Sequence, residues 1–215
     1  MPYIVLEGPD GAGKTTQIAL LKKALAASQH PHVFTREPGG TPIGDELRAL
    51  LLEGKVDKMD AITEMFILTA SRHELARQVI RPALKKGEIV ISDRCFLSTY
   101  VFQGYGGGQD KEVIKTLTHI AMEETMPDLI LILDLTPEEG LRRKQAQVEE
   151  GLKETRMEDK GEAYHRRNYQ GYMDYARENP ETTALIKASD IAENVHKAII
   201  ETLNTHFGLG LSPQS

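Results

Sequence analysis

Short apolar runs punctuate the chain at intervals: Tyr3-Ile-Val-Leu-Glu7, His32-Val-Phe-Thr-Arg36, Glu88-Ile-Val-Ile-Ser-Asp93, Asp128-Leu-Ile-Leu-Ile-Leu-Asp134 and Thr183 to Lys187. Each predicts a brief buried strand. Between them apolar positions recur at helical spacing. Ile18, Leu21 and Leu25 form one stripe, with Lys22 and Lys23 on the outer face, and Ala26 to Pro31 closes that helix. A helix is expected from about Ile43 to Leu52, followed by a charged linker from Glu53 to Lys58. A longer one runs from Asp60 to Lys86 with Ile62, Phe66, Leu68, Leu75, Val79, Ile80 and Leu84 apolar, and Pro82 marks a new turn or kink. Ser98 to Gln103 lie in a loop or helix start, Gly104 to Gly108 read as flexible, and Lys111 to Met126 as helix. Further helices are predicted from Pro137, whose first turn is acidic, from Glu162 to Glu178 and from Ile191 to Phe207. The polar stretch from Gln145 to Gly161 has no apolar stripe and reads as a mobile flap.

Strands alternating with helices argue for an α/β fold: a central parallel sheet, five-stranded if the Thr183 strand counts, with helices on both faces. In such sheets ligands bind beyond the carboxyl ends of the strands. Those ends carry Gly8 to Thr15, Arg36-Glu37, Asp93-Arg94 and Asp134, so they converge on one site. Residues 1–207 are expected to form one domain with a lid over about 138–161, and 208–215 a flexible tail.

Composition narrows the class. The 215 residues carry a formal charge of -6, which implies no general attraction to nucleic acid or anionic membrane. No apolar run is long enough for a membrane span, and a strand opening at Tyr3 leaves no room for a signal peptide, so none is expected. The single cysteine, Cys95, excludes an intrachain disulfide and fits a reducing cytoplasm.

The first strand runs directly into Gly8-Pro-Asp-Gly-Ala-Gly13-Lys14-Thr15-Thr16. Gly8-x-x-x-x-Gly13-Lys14-Thr15 is the spacing of a phosphate-binding loop. Glycines let successive backbone N–H groups turn toward phosphate oxygens, and the following helix adds the positive end of its dipole. Lys14 is placed to reach the β- and γ-phosphates and the Thr15 hydroxyl to hold Mg²⁺. This pattern predicts binding of a nucleoside triphosphate.

The loop, Arg36-Glu37-Pro38-Gly39-Gly40-Thr41, Ala70-Ser71-Arg72, and Asp93-Arg94 with Ser98-Thr99 together resemble thymidylate kinase over nearly the whole chain. The resemblance implies a P-loop NTPase fold and transfer of the γ-phosphoryl of MgATP to dTMP, with ATP and Mg²⁺ required. It also implies a cytoplasmic homodimer that takes a small-molecule substrate and no nucleic acid. The acceptor is already an anionic oxygen, so positioning and positive charge outweigh base catalysis. Lys14, Arg94, Arg143 and Arg156 are the catalytic candidates. Gly11 stands where some relatives carry a loop arginine, so flap arginines are expected to supply that charge, as in the bacterial type. Arg142 and Arg143 point about 100° apart, so at most one faces the nucleotide squarely, and a solvated helix face is the alternative for each. On the donor side, residues Gly8 to Thr16 (with Pro9, Asp10, Gly11 and Ala12), Arg142 and Ala188 are expected contacts.

For the acceptor, the resemblance assigns Asp10 to the sugar 3′-hydroxyl, Arg72 to thymine O4, Thr99 to the N3 edge and Phe102 to the sugar. Arg36 and Arg94 would grip the dTMP phosphate, although Arg36 has a strand-end ion pair with Glu37 or Asp93 as its alternative. Pro38, Ser98 and Gln103 complete the set. The aromatic that stacks on thymine in the family falls here on Leu68, so either Leu68 covers the base or Phe66 does, with Phe66 otherwise in the core. Asp93, with Thr15, is the expected Mg²⁺ residue, and Asp134 a strand-end residue nearer the adenine. Tyr169, Tyr172 and Tyr175 form a helical stripe that packing explains. Two rival functions keep the same loop: a deoxynucleoside kinase using Glu37 as general base, and a nucleotide-controlled switch without a nucleobase pocket.

Overall fold

A computed structural model of the chain describes residues 1–52, 59–149 and 161–214; the expected linker at 53–58 and Arg156 lie outside them. All five predicted strands are present: β1 (Tyr3–Glu7), β2 (His32–Arg36), β3 (Ile89–Asp93), β4 (Leu129–Asp134) and β5 (Thr183–Lys187). They form one parallel sheet in the order β2-β3-β1-β4-β5. β1 sits at its centre, with Ile4 in register with Ile91 on one side and Leu129 on the other.

The apolar runs are continuous because helices cover both faces of the sheet. Successive side chains leave a strand on opposite sides. Ile4 and Leu6 therefore join a core layer with α1 (Lys14–Ala26) and α9 (Ala192–Phe207), where Leu21, Leu25, Ile199 and Leu203 are buried. Tyr3 and Val5 join the opposite layer. It is built from α3 (Ala61–Leu75), α5 (Phe96–Thr99), α6 (Lys111–Met122) and α8 (Glu162–Glu178), through Leu75, Leu97, Ile114 and Tyr172. The chain leaving β1 thus turns to one face and the chain leaving the adjacent β3 to the other. The carboxyl ends of these two strands part around a crevice, which is where an α/β sheet offers a site.

Pro82 does stand at a new turn: α3 passes through a π-helical turn at Ala76–Ile80 into α4 (Arg81–Lys85), which has Pro82 in its first turn. Several other local expectations change. The glycines after Gln103 are ordered, because a second π-helical stretch spans Tyr100–Gly106 and Gly106 lies against Tyr164 and Asn168. α6 ends at Met122 rather than Met126, and α7 continues from Pro137 to Glu149 into the stretch expected to be a flap. The segment after Phe207, expected to fray, buries Leu209 and Leu211 in the core. Asn204 pins Leu211 by two hydrogen bonds of 2.9 and 2.8 Å, and the His30 ring meets the Leu209 carbonyl at 2.8 Å.

Candidate active site

The loop after β1 carries its glycines for a steric reason. Gly8 sits at φ +140, where a Cβ would lie 2.8 Å from the Leu133 carbonyl oxygen. Gly11 sits at φ +78, and a Cβ there would lie 2.5 Å from the carbonyl of Gly140 on α7. A side chain at either place meets backbone, so the loop closes only with hydrogen there. α1 then starts at Lys14 with no side-chain cap and no acid in its first turn. Its N-terminal amides and dipole are thus available to an anion.

A cavity of ≈ 470 Å³ fills the crevice. Its lining includes Asp10, Gly11, Gly13, Lys14, Thr15 and Thr16 of the loop and Leu68, Arg72, Phe102 and Gln103. Pro38, Asp93, Arg94 and Ser98 lie on the same wall system. Most of the predicted site therefore converges. Lys14 donates to the carbonyls of Gly8 and Pro9, each at 2.8 Å, and is nearly buried. Burial, and after it the neighbouring Arg94, bring the Lys14 ammonium down to about 8.

A pH dependence follows. Only the ammonium form attracts phosphate, so it is complete below about pH 8 and lost above it. kcat/KM for MgATP, which reports the free enzyme, should fall as pH rises through about 8. kcat should not share the break, because bound phosphates hold the proton on Lys14. Lys14→Arg should remove the break, which initial rates across about pH 7 to 9.5 will show.

Arg94 lies at φ 71, a left-handed conformation rare for a side-chain-bearing residue. It donates to Asp10 Oδ1 at 2.7 Å, Ser98 Oγ at 3.1 Å and the Gly8 carbonyl at 3.3 Å, and its guanidinium lies 5.3 Å over the Phe102 ring. Burial raises the Asp10 carboxyl, but Arg94 and then Lys14 outweigh it and hold it below the usual carboxylate range. Arg72 is enclosed with Glu37, donating from Nε to Glu37 Oε2 at 2.8 Å, and from Nη2 to Thr99 Oγ1 at 2.8 Å. The Glu37–Pro38 peptide is cis.

Other expected contacts fall elsewhere. Phe66 is 58% exposed, so it does not sit in the core, and it is not among the residues lining the cavity: two positions on a helix turn about 200°, and Leu68 is the one facing the cavity. Arg36 leaves the cavity and pairs with Asp45 at 3.0 Å, with over half its side chain exposed. Neither Glu37 nor Asp93 is its partner. Arg48 of α2 (Pro42–Leu52) lines the wall instead, donating to the Pro38 carbonyl at 2.9 Å. Thr99 is buried off the cavity and reaches it only through Arg72. Gly8, Pro9 and Ala12 shape the loop from behind: Gly8 and Pro9 through their carbonyls, Ala12 as a core residue.

Arg142 is exposed and bound twice to Glu139 at 2.8 Å. Arg143 also binds Glu139, at 2.9 Å, and donates to the Ala188 carbonyl at 3.0 Å, beyond the end of β5. Among the described residues of α7 it is Lys144, one step farther round the helix, that lines the cavity. Asp134 accepts from Tyr169 at 3.0 Å, leaving Asp93 as the strand-end acid at the cavity. Tyr172 and Tyr175 are packed, as the stripe predicts.

Sequence reasoning missed Arg48, Lys144, Glu64, Tyr164 and His165 at the cavity. Lys144 had one visible signal, a cation next to the assigned Arg142 and Arg143; Arg48, ten residues beyond Pro38, had none. Glu7, which ends the first predicted strand, is fully buried beneath the site.

Comparison with known proteins gives a consistent result. The family model described as thymidylate kinase matches residues 6–199. The thymidylate kinase of Exiguobacterium sibiricum is 38% identical over 205 residues, covering 95% of each chain. That of Desulfosudis oleivorans is 40% identical, covering 94% of this chain and 95% of its own. The crystal structure of thymidylate kinase from Ehrlichia chaffeensis superposes with a TM-score of 0.75 at 30% identity, covering 94% of this chain and 98% of its own.

Proposed function

The chain belongs to the thymidylate kinase family, and from that premise we propose how the crevice divides its two nucleotides. The reaction is transfer of the γ-phosphoryl of ATP to dTMP, giving dTDP and ADP. ATP lies with its phosphates in the loop of Gly8 to Thr16 and its base toward Ala188 and Arg143. dTMP lies toward Leu68, Arg72, Phe102 and Gln103, with its phosphate between Arg48 and Arg94. The observation that carries this division is that one cavity is lined both by the phosphate loop and by Leu68, Arg72, Phe102 and Gln103.

No proton need be removed from a phosphate acceptor, so the residues work by position and charge. Lys14 meets the donor phosphates and Arg94 the point where both chains of phosphate converge. Thr15 and Asp93 border the same space, and Asp93 Oδ1 is buried with no hydrogen-bond partner. An oxygen set of this kind fits Mg²⁺, which takes one or two protein oxygens and completes its shell from phosphates and water. When bound, that ion neutralises charge on the bridging phosphates.

The deoxynucleoside kinase alternative needs Glu37 as general base; its Oε2 is engaged with Arg72 in a buried pair while its Oε1 has no hydrogen-bond partner, so it is the family match that speaks against this alternative. A switch would need no recess for a second base. The deciding experiment is ADP release from MgATP with dTMP, dUMP, dCMP, thymidine or water as acceptor. dTMP well above the rest is the expected result; thymidine in first place would overturn it.

A homodimer is part of this reading. On α3, Ile62 and Phe66 are 49% and 58% exposed one turn apart, and on neighbouring α6 Ile120 and Val113 are 62% and 46% exposed. Such a stripe fits burial against a second copy. Phe66→Glu should therefore give a monomer by light scattering where the parent is a dimer, with reduced activity because α3 also carries Leu68 and Arg72. Among the described residues no helix is long and apolar enough to cross a membrane. A cytoplasmic setting, checked by cell fractionation, agrees with the lone, unbridged Cys95.

A further inference from the structure

Beneath the phosphate loop, out of reach of either nucleotide, Glu7 gathers an unusual number of donors. Its Oε1 accepts from the backbone of Cys95 at 3.0 Å and of Ser98 at 3.1 Å, and from the Ser98 hydroxyl at 2.9 Å. Its Oε2 accepts from Tyr172 OH at 3.0 Å and the Gly8 amide at 3.3 Å, and lies 3.5 Å from Arg94 Nη1. Both Glu7 and Tyr172 are fully buried. A carboxylate in the sheet interior is costly unless its lone pairs are met, and here each oxygen is met more than once.

The donors share a property. They flank Arg94 on every side: Cys95 is the next residue, Ser98 and Tyr172 both accept from Nη1, at 3.1 and 3.5 Å, and the Gly8 carbonyl accepts from it at 3.3 Å. The backbone of Arg94 is pinned as well, its amide to Leu6 O at 3.0 Å and its carbonyl by Ser92 Oγ at 2.7 Å. A side-chain-bearing residue at φ 71 persists only where the surroundings over-determine it.

We infer that Glu7 is a positioning residue for phosphoryl transfer. It ties β1, the start of α5 and Tyr172 of α8 into one frame that aims the Arg94 guanidinium across the phosphate loop. This rests on the reading of Arg94 as the cation at the reacting phosphates. Tyr172 extends the frame to α8, so three separate chain segments must be in place before Arg94 is aimed. A residue that only filled the core would influence stability and leave the Arg94 geometry to others. A positioning residue lowers turnover without weakening either nucleotide.

The test is Glu7→Gln, which keeps size and removes the charge, together with Arg94→Ala and the double variant. Glu7→Gln should lower kcat about 30-fold while KM for MgATP and dTMP stays within about threefold. In the Arg94→Ala background the same change should cost less than about twofold, because its object is gone. Losses that multiply in the double variant, or a Glu7→Gln kcat within about twofold of the parent, would overturn the proposal while leaving Arg94 in its role. Full turnover by Arg94→Ala would remove both. If Glu7→Gln does not fold, Tyr172→Phe serves: it deletes one hydroxyl from the frame. It should lower kcat about threefold to tenfold at constant KM, and an unchanged kcat refutes the frame.

Discussion

Arg94→Ala should lower kcat by about 10³-fold, with KM for MgATP nearly unchanged. The guanidinium lies 2.7 Å from Asp10 and 3.3 Å from the Gly8 carbonyl, directly beside the loop that holds the donor phosphates. Two other arginines expected at the phosphates turn elsewhere: Arg36 pairs with Asp45 and Arg143 with Glu139 and the Ala188 carbonyl. Nucleotide binding should survive, because the loop amides and Lys14 remain. Lys14 should even hold its proton more firmly, since Arg94 is one of the causes of its lowered pKa. Arg94→Lys should recover only part of the loss, because an ammonium cannot serve Asp10, Ser98 and a phosphate in one planar fork. A steady-state kcat within about tenfold of the parent for Arg94→Ala would show that charge at this point is dispensable.

The second large effect concerns Arg72. Its partner Glu37 is 5% exposed, so Arg72→Ala leaves a buried carboxylate without a cation. Breaking such a pair costs about 3–5 kcal/mol. For a chain of this length that lowers Tm by roughly 6–20 °C. Activity should fall as well, because Arg72 is the donor expected to read thymine O4. The two consequences separate in the double variant Glu37→Gln/Arg72→Met, where neither charge is left stranded. Melting temperature should largely recover, while discrimination of dTMP over dCMP should fall by about 10²-fold or more. Recovery of both would mean that the pair is a structural clamp and that the base is read elsewhere.

Much of this architecture was legible in order. The three central strands, β1, β3 and β4, were readable because burial on both faces leaves no polar alternation to confuse them, and the loop because its glycines stand where backbone meets backbone. Gly11 against Gly140 is a contact that no arginine side chain could share, which is why its loop position carries none. The exchange of Arg36 for Arg48 was not legible. Both are single arginines near the Glu37–Pro38 turn, and which one faces inward depends on the orientation of α2 relative to β2, a tertiary matter. Phe66 misled for a related reason. Local apolar pattern does not distinguish a core face from an exposed one, and α3 carries both. Glu7 was hidden by position, since an acid ending an apolar strand is usually a solvated terminus, and only the fold brings Ser98 and Tyr172 around it. The packing of Leu209 and Leu211 involves Asn204 across the end of α9 and His30, a partner distant enough in sequence that no local signal marks it.

The central place of β1 bears on how the chain acquires its structure. Ile4 has no neighbour in the sheet until the segments holding Ile91 and Leu129 are available. α1 and its neighbours can gather locally, but the strand that carries the phosphate loop is stabilised only by contacts far away in sequence, the slowest kind to form. The loop should therefore be among the last features to become ordered. Excised with its helix as a peptide, it should bind no nucleotide, and the amides of β1 should exchange with solvent only through opening of the whole sheet.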